Sequence, residues 1–182
     1  LLHQAVAHAD PVIFVENKLL YPLPLILDEQ PGALWRDATP AANGYPTVIL
    51  RNAAPDRAAD VTLVAYGGMS RLLAPLLARL AAEEIRIAAC LPSCISPLDM
   101  APIAACAAES GRVLVVEESQ AAFGWGAEVA ARLHALIGPR LAAPVRRLGA
   151  APTVIPAART LEAQVLPSEA MIEAEVLDLL RV

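Results

Sequence analysis

The sequence predicts an α/β fold, a three-layer sandwich in which a mainly parallel sheet of about five strands carries helices on both faces. Short apolar runs, such as residues 113–116, are typical of strands that are buried on both faces. These runs alternate with longer segments of helical periodicity, as parallel β–α–β units require. The chain has 182 residues and is 57% hydrophobic, which is enough for one well-formed core.

Five strands are expected in this sheet. They are residues 46–51, 61–66, 85–90, 112–117 and 145–149, and the first of them is expected to lie at an edge. Leu63 and Val115 are expected to be buried, because each lies inside an apolar run. A separate strand is expected at residues 11–16, which must pack on this domain, pair with another copy of the chain, or be disordered in isolation.

The helices are predicted from periodicity and from capping residues. Asp99 suits the N-cap of a helix that runs to Ser110, after which Gly111 closes the helix. Ser168 is the predicted N-cap of the last helix. Pro75 falls inside another predicted helix, which therefore starts late or bends. Helical segments are expected at 1–8, 70–83, 99–110, 127–133, 161–165 and 168–180.

Three regions are expected along the chain. Residues 22–45 contain four prolines and show no clear period, so they are predicted to be a linker. Trp35 is the large side chain of this linker and is expected to pin it to the domain surface. Residues 46–182 form the α/β domain, and residues 1–21 are interpreted as the end of a preceding domain. The chain begins with Leu rather than Met, so we interpret it as a piece of a longer protein.

Composition excludes several classes of partner. A net charge of −5 argues against a nucleic-acid surface, and the small basic cluster Arg146–Arg147 does not change that. The apolar runs are too short to span a membrane, so no membrane partner is expected. Three cysteines without metal-type spacing predict reduced, buried thiols in a cytoplasmic protein.

Several segments resemble one enzyme family, in the order that the family has them. They are P-V-I-F-V-E-N-K-L-L-Y at 11–21, D-V-T-L-V-A-Y-G-G-M at 60–69, S-P-L-D at 96–99, G-R-V-L-V-V-E-E at 111–118, F-G-W-G-A-E at 123–128, A-P-V-R-R-L at 143–148 and L-P-S-E at 166–169. The chain resembles the beta subunit of the thiamine-dependent decarboxylase component of 2-oxo acid dehydrogenase complexes. The likeness covers residues 60–180 and the stretch at 11–21, and it implies a transketolase-like C-terminal domain.

The resemblance implies an enzyme whose active site lies mostly outside this chain. In the family, thiamine diphosphate and Mg²⁺ bind between two other domains, and residues 1–21 correspond to the end of the second of them. The resemblance therefore implies oxidative decarboxylation of a 2-oxo acid by the full enzyme. This fragment is expected to bind no cofactor and to be inactive alone, and its role is expected to be assembly. We assign no catalytic, cofactor-binding or metal-binding residue to it.

The residues that could carry chemistry have simpler interpretations. Gly67–Gly68 is more readily a tight turn than a phosphate cradle, since no phosphate-binding motif surrounds it. Glu117 and Glu118 are adjacent on a strand and face opposite sides, which favours structural hydrogen bonds or interface contacts over acid–base catalysis. The three histidines, His3, His8 and His134, have no metal-binding spacing.

Five residues are interface candidates. Phe123 and Trp125 lie in a loop expected at the surface, where large aromatic side chains are costly to leave in water. We expect one of them to contact a second copy of the chain, although both could fold back onto their own domain. Leu180, Arg181 and Val182 form the chain end that, in the family, contributes to docking of the dihydrolipoyl acyltransferase. The family also implies an alpha subunit as a partner.

Two other functions remain open from the sequence. The chain could be a stand-alone α/β module that binds a partner or a small anion at the carboxyl edge of its sheet. It could also be the C-terminal domain of a transketolase, although the segment at 11–21 favours the dehydrogenase. Pyruvate, branched-chain 2-oxo acids and acetoin all remain possible substrates of the full enzyme.

Overall fold

The computed structural model describes residues 1–22, 35–39 and 44–181 of the chain. In these residues six strands form one sheet in the order β1-β2-β4-β3-β5-β6. The strands are β1 (Trp35–Thr39), β2 (Thr47–Arg51), β3 (Val61–Ala65), β4 (Ile87–Pro92), β5 (Val113–Gln120) and β6 (Arg146–Ala150). The last four of these run parallel, while β2 is antiparallel to β4 and β1 is antiparallel to β2. The predicted α/β fold is confirmed, with one strand more than expected.

The α-helices of the described residues are α1 (Leu2–Ala7), α2 (Ser70–Ala82), α3 (Ala101–Ser110), α4 (Trp125–Ile137), α5 (Arg159–Glu162) and α6 (Glu169–Leu180). Four of them, α2, α3, α4 and α6, cover the faces of the sheet, whereas α1 and α5 bury no residue. Helices α2 and α6 pack with one face of the sheet into a core rich in leucine. Helices α3 and α4 pack with the opposite face into a second core that includes Cys90 and Cys106. The predicted three-layer arrangement is therefore confirmed.

The parallel centre of the sheet is closed to solvent on both sides. All five residues of β3 are fully buried, and so are the first five residues of β5. Leu63 and Val115 are each 0% exposed, as the sequence predicts. Burying one such apolar side chain contributes roughly 1.5–3 kcal/mol, so this centre supplies much of the stability of the domain.

The predicted end of α3 and the predicted start of α6 are confirmed, whereas α4 begins two residues before the predicted 127–133 and ends four after it, and α5 lies two to three residues before the predicted 161–165. The Ser168 hydroxyl accepts a hydrogen bond from the Met171 N–H and caps α6, and Gly111 ends α3 with φ of 67°. The predicted N-cap Asp99 is one residue too early, because Met100 is the N-cap of α3 and the Asp99 carboxylate accepts from the Ala101 N–H at 2.9 Å. Helix α2 continues through Pro75, which lies on its exposed side.

The prediction that residues 46–51 form an edge strand is wrong. Strand β2 lies between β4 and β1, and β1 comes from the segment that was predicted to be a linker. Four of the five residues of β1 are exposed, so its sequence, W-R-D-A-T, shows no alternation of apolar and polar residues. Trp35, the predicted anchor, begins this strand and is 47% exposed. Charged, mostly exposed strands of this kind are common at sheet edges, where they discourage pairing with other chains.

The strand predicted at residues 11–16 is also wrong. The structure assigns no regular secondary structure to residues 11–17, and Ile13 and Val15 are 90% and 81% exposed. The apolar residues in this segment have strand propensity, but no neighbouring strand pairs with them in the described part of the chain. Strand formation requires such a neighbour, since a single strand leaves its backbone hydrogen bonds to water.

Candidate interface at the carboxyl edge of the sheet

The site that the sequence singles out lies where β3 and β5 end side by side. The chain leaves β3 toward α2 on one face of the sheet, and it leaves β5 toward α4 on the opposite face. The two connections therefore diverge, which opens a crevice at the carboxyl edge between these strands. The turn at Gly67–Gly68 forms one side of the crevice, and residues 117–126 form the other.

A buried carboxylate organises residues 117–126. Glu117 is 0% exposed, and its carboxylate accepts a hydrogen bond from the Gly126 N–H at 3.0 Å and another from the Ser119 hydroxyl. Gly126 lies in the first turn of α4, so the negative charge also meets the positive end of the helix dipole. A Cβ on Gly124 or Gly126 would approach the Glu117 carboxylate to within 2.5–2.7 Å. The G-x-G spacing is thus explained by the space that this carboxylate needs, and the interpretation of Glu117 as a structural hydrogen-bonding residue is confirmed.

Trp125 packs on its own domain. Its ring meets Tyr66 edge to face at 4.9 Å between ring centroids, and its indole N–H donates to the Ile95 carbonyl at 3.1 Å. Burial raises the pKa of Tyr66, while a hydrogen bond with Ser119 opposes that shift. Of the two expectations for the aromatic residues of this loop, contact with a second copy or packing on the same domain, Trp125 follows the second.

Phe123 points away from the domain. It is fully exposed, and its φ of 58° lies in the left-handed region that non-glycine residues seldom adopt. The neighbouring residues hold it there, because Gly124 and Gly126 are fixed over Glu117 and the Ala121 carbonyl accepts a hydrogen bond from Arg147. A strained backbone that presents a bare aromatic ring is the kind of outlier that marks functional sites.

A second exposed loop lies next to the loop that carries Phe123. Strand β5 pairs with β6 up to Gln120 and Ala150, and the Gln120 amide donates to the Thr153 carbonyl at 3.1 Å. This contact holds the loop after β6 next to the loop after β5. Val154 and Ile155 in that loop are 87% and 49% exposed. We refer to Phe123, Val154 and Ile155 together as the edge patch.

The N-terminal segment reaches the other side of the crevice. A Cβ on Gly68 would collide with the Asn17 amide and would contact the Glu118 carboxylate. The side-chain amide oxygen of Asn17 accepts from the Leu19 N–H at 3.0 Å, and the Tyr21 hydroxyl donates to the Glu16 carboxylate at 2.6 Å. The stretch E-N-K-L-L-Y therefore has its own local structure and places Asn17 against the Gly67–Gly68 turn.

The structure does not bring the five interface candidates together. The Arg112 side chain, at the start of β5, donates to the Leu179 carbonyl at 3.0 Å, so the end of α6 lies at the amino edge of the sheet. Leu180 is half-buried against the core, and Arg181 is exposed with an ion pair to Asp178. Phe123 and Trp125 lie at the opposite, carboxyl edge. Val182 is outside the described residues.

The residues of this crevice do not fit thiamine diphosphate with Mg²⁺. Among residues 1–22, 35–39 and 44–181, no three His, Cys, Asp or Glu side chains gather closely enough to share a metal ion. The Gly67–Gly68 turn, the one place considered for a phosphate, has the Glu118 carboxylate and Asn17 against it. A negative side chain opposes a diphosphate there. We therefore derive no catalytic step through this cofactor from the present chain.

Sequence reasoning missed the residues that hold the loop between β5 and α4 in place. It identified Phe123, Trp125 and Glu117, but not Tyr66 or the Ile95 carbonyl, which both hold Trp125. These contacts join positions that are 59 and 30 residues apart in the chain. The detectable signal was the repeated glycine in F-G-W-G-A-E, which indicates close approach of another group without identifying it.

Comparison with known proteins gives a consistent family. A family model described as "Transketolase, C-terminal domain" matches residues 53–172. The chain is 32% identical over 169 residues to the mitochondrial pyruvate dehydrogenase E1 component subunit beta of Drosophila melanogaster, covering 92% of this chain and 44% of that protein. It is 31% identical over 174 residues to the acetoin:2,6-dichlorophenolindophenol oxidoreductase subunit beta of Cupriavidus necator, covering 96% of this chain and 48% of that one. The beta subunit of pyruvate dehydrogenase E1 from Staphylococcus epidermidis is 27% identical over 156 residues, covering 86% and 44%.

The chain spans less than half the length of these curated relatives. A solved structure with a similar fold is a split gene transketolase in an inactive beta4 tetramer. It has a TM-score of 0.57 and 21% identity, and the match covers 69% of this chain and 40% of that one. No helix in the described residues is both long and apolar enough to cross a membrane.

Proposed function

Because the chain belongs to the transketolase C-terminal domain family, we propose that it is the assembly domain of a beta subunit in a thiamine diphosphate-dependent 2-oxo acid dehydrogenase. Relatives that are named as beta subunits of pyruvate dehydrogenase E1 and of an acetoin oxidoreductase support this class. The full enzyme decarboxylates a 2-oxo acid oxidatively in the cytoplasm, and this domain joins its subunits. Thiamine diphosphate and Mg²⁺ bind elsewhere in that enzyme.

The observation that carries the proposal is the exposure of Phe123. Its ring is wholly in water, its backbone is held at a positive φ, and the loop beside it adds Val154 and Ile155. Covering one aromatic or aliphatic side chain of this kind contributes roughly 1.5–3 kcal/mol, so the edge patch supplies a driving force for association. Buried aromatic residues are also enriched at the centres of interfaces.

The partner proposed for the edge patch is a second copy of the beta subunit. Two copies related by a two-fold axis would each present the same apolar side chains, as self-complementary interfaces require. The end of α6 lies at the other edge of the sheet and stays available for a different partner. The alpha subunit and the dihydrolipoyl acyltransferase complete the proposed assembly, and the acyltransferase binds at the C-terminal end of α6.

The alternative of an anion-binding module is less well supported. The crevice at the carboxyl edge holds the carboxylates of Glu117 and Glu118, and a negative edge disfavours an anionic ligand. A transketolase activity is less well supported, since the solved transketolase is 21% identical to this chain and the more similar relatives are named as dehydrogenase or acetoin oxidoreductase beta subunits. Neither alternative explains why Phe123 is presented to solvent.

Substitution of Phe123 tests the assembly role. We expect Phe123→Ser in the intact protein to weaken self-association by at least tenfold in Kd, since burying a ring is worth more than the 1.4 kcal/mol that a tenfold change represents. Sedimentation across micromolar concentrations measures it. Leu136→Ser, at an exposed apolar position on α4, is the matched control and should leave association unchanged. Equal association of the wild type and Phe123→Ser contradicts the proposal.

Calorimetry tests where the cofactor binds. Thiamine diphosphate titrated with Mg²⁺ into the 182-residue chain should give no measurable heat of binding, because the crevice opposes a diphosphate. The intact protein mixed with its alpha subunit should bind the cofactor and decarboxylate a 2-oxo acid. Micromolar binding to the 182-residue chain would mean that the cofactor site lies within it.

A further inference from the structure

A pair of cysteines lies between the sheet and α3, on the face opposite α2 and α6. Cys90 is on β4 and is fully buried, while Cys106 is on α3 and is 3% exposed. Both belong to the core that α3 and α4 form with the sheet. The two thiols are close enough that each shifts the pKa of the other. They therefore face each other across the interface between strand and helix.

An arginine stands beside one of these thiols. Arg51 is on β2, and its guanidinium approaches the Cys106 sulfur to 3.8 Å. The same guanidinium makes two hydrogen bonds to the Glu109 carboxylate, at 2.9 and 2.7 Å. Glu109 also accepts from the Ala59 N–H at 2.8 Å, so both ends of the ion pair are fixed. The cation is thereby held next to Cys106 rather than swinging free in solvent.

This arrangement makes the two sulfurs chemically unequal. The interaction with Cys90 and the charge of Arg51 lower the pKa of Cys106, although burial and the Glu109 carboxylate oppose the shift. The interaction with Cys106 and complete burial raise the pKa of Cys90. A thiolate is the nucleophilic form of cysteine, and thiolates form where a fixed cation lies nearby. The cation at 3.8 Å and the opposite directions of the two pKa shifts favour the thiolate at Cys106 over the thiolate at Cys90.

A cavity gives access to Cys106. It has a volume of about 410 Å³, and its walls include Thr39, Ile49, Arg51, Cys106 and Glu109. It lies along α3, where β1 and β2 extend the sheet beyond the helices that cover its centre. Several water-sized molecules fit in this volume, since one water takes up about 30 Å³ of liquid. Small polar reagents can therefore reach Cys106, whereas Cys90 is sealed beneath it.

We propose that Cys106 and Cys90 form a peroxide-sensitive thiol pair, in which Cys106 reacts first and Cys90 resolves the product. The Cys106 thiolate attacks one oxygen of a hydroperoxide and breaks the O–O bond, giving a sulfenic acid and, after protonation, an alcohol or water. The Cys90 thiol then attacks the Cys106 sulfur, which forms the disulfide and releases water. Two thiols lose two electrons in total, and the peroxide accepts both. The product links β4 to α3.

Hydrogen peroxide is the probe that tests this chemistry. The intact protein is treated with it, denatured, alkylated and cut with trypsin. Arg86 and Arg112 bound a single peptide, residues 87–112, that contains all three cysteines. We expect this peptide to lose the mass of two hydrogens and to keep one alkylated cysteine instead of three. A further cut before Asp99 should leave two halves joined until reductant is added, since Cys106 lies on one side of Asp99 and Cys90 on the other.

Variants assign the two roles. Cys90→Ser should accumulate a sulfenic acid at Cys106 that dimedone traps, and Cys106→Ser should give no disulfide. Cys94→Ser is the matched control and should form the disulfide at the wild-type rate, because the Cys94 thiol donates to the Pro97 carbonyl instead. Arg51→Met should slow the reaction by roughly tenfold or more, since it removes the cation that favours the thiolate.

Three outcomes would overturn the proposal. The first is a wild-type protein whose three cysteines all remain alkylatable under peroxide that oxidises glutathione. The second is a disulfide that includes Cys94, in which case the Cys94→Ser variant would form no disulfide. The third is trapping of sulfenic acid at Cys90 rather than at Cys106. The first outcome is read on unmodified protein, so it does not depend on whether any variant folds.

Discussion

The parallel centre of the sheet and the first 51 residues of the chain are held in different ways. In the centre, β3, β4 and β5 are covered by helices on both faces, and their apolar side chains are almost entirely buried. In the first 51 residues, α1 has no buried residue, the segment at 11–17 forms no strand, and β1 is almost wholly exposed. Among the described residues of this region, β2 alone contributes to a core, through Ile49 and Leu50. The centre is packed by its own helices, whereas the described residues before β2 are mostly exposed.

This difference explains where an apolar run in the sequence correctly predicts a strand. An apolar run such as V-T-L-V-A in β3 becomes a strand because its neighbours in the same domain pair with it on both sides. The run V-I-F-V at 12–15 has equal strand propensity, but it finds no such neighbour in the described residues. Strand propensity reflects a fit to a pleated, half-buried surface, so it has no effect where that surface is missing.

The largest expected effect lies in the centre. Leu63→Ala should lower the free energy of unfolding by about 2–5 kcal/mol, because a fully buried leucine leaves a cavity when it is truncated. Urea denaturation with an unchanged m-value measures the loss. Leu136→Ala removes the same atoms from a side chain that is 58% exposed and should change stability by less than about 0.5 kcal/mol. Similar losses in both variants would mean that β3 is not at the centre of the core.

A smaller effect is expected at the edge of the centre, where Glu117 holds the start of α4. Glu117→Ala leaves the buried Gly126 N–H without its acceptor and should cost about 1–3 kcal/mol. Glu117→Gln retains an acceptor oxygen and loses only the charge at the helix N-terminus, which is worth roughly 0.3–1 kcal/mol. Thermal unfolding ranks the two variants, with Glu118→Ala as the neighbouring control. A Gln variant as unstable as the Ala variant would show that charge, and not the hydrogen bond, holds the loop.

Sequence reasoning recovered the centre and its order of elements because local signals suffice there. The apolar runs located β3 and β5, Gly111 located the end of α3, and Ser168 located the start of α6. It failed for β1, whose polar sequence forms a strand only because β2 pairs with it in register. It also predicted an edge strand where β2 has partners on both sides.

The candidate site was recovered in part. Phe123 and Trp125 were both identified as interface candidates. The local sequence did not show that Trp125 packs on Tyr66 while Phe123 faces solvent. That difference depends on the left-handed backbone at Phe123 and on a contact between residues 66 and 125. The proximity of Cys90 and Cys106 likewise joins a strand to a helix, and their separation by 16 positions in the chain gives no sign of it. Long-range contacts of this kind leave no periodic signal in the chain.

The smallest expected effect lies in the N-terminal segment. Ile13 is 90% exposed, so Ile13→Ser should change the free energy of unfolding of the 182-residue chain by no more than about 0.5 kcal/mol. Chemical denaturation measures this change, and Asn17→Ala is the informative comparison in the same segment. The Asn17 side chain caps the turn before Leu19 and lies against Gly68, so its loss should cost about 0.5–2 kcal/mol. If Ile13→Ser destabilises the chain as much as Asn17→Ala does, the segment is packed in solution, and the contrast between the two regions is wrong at this point. If Ile13→Ser is neutral in this chain but destabilises the intact protein, the segment is packed by residues outside this chain.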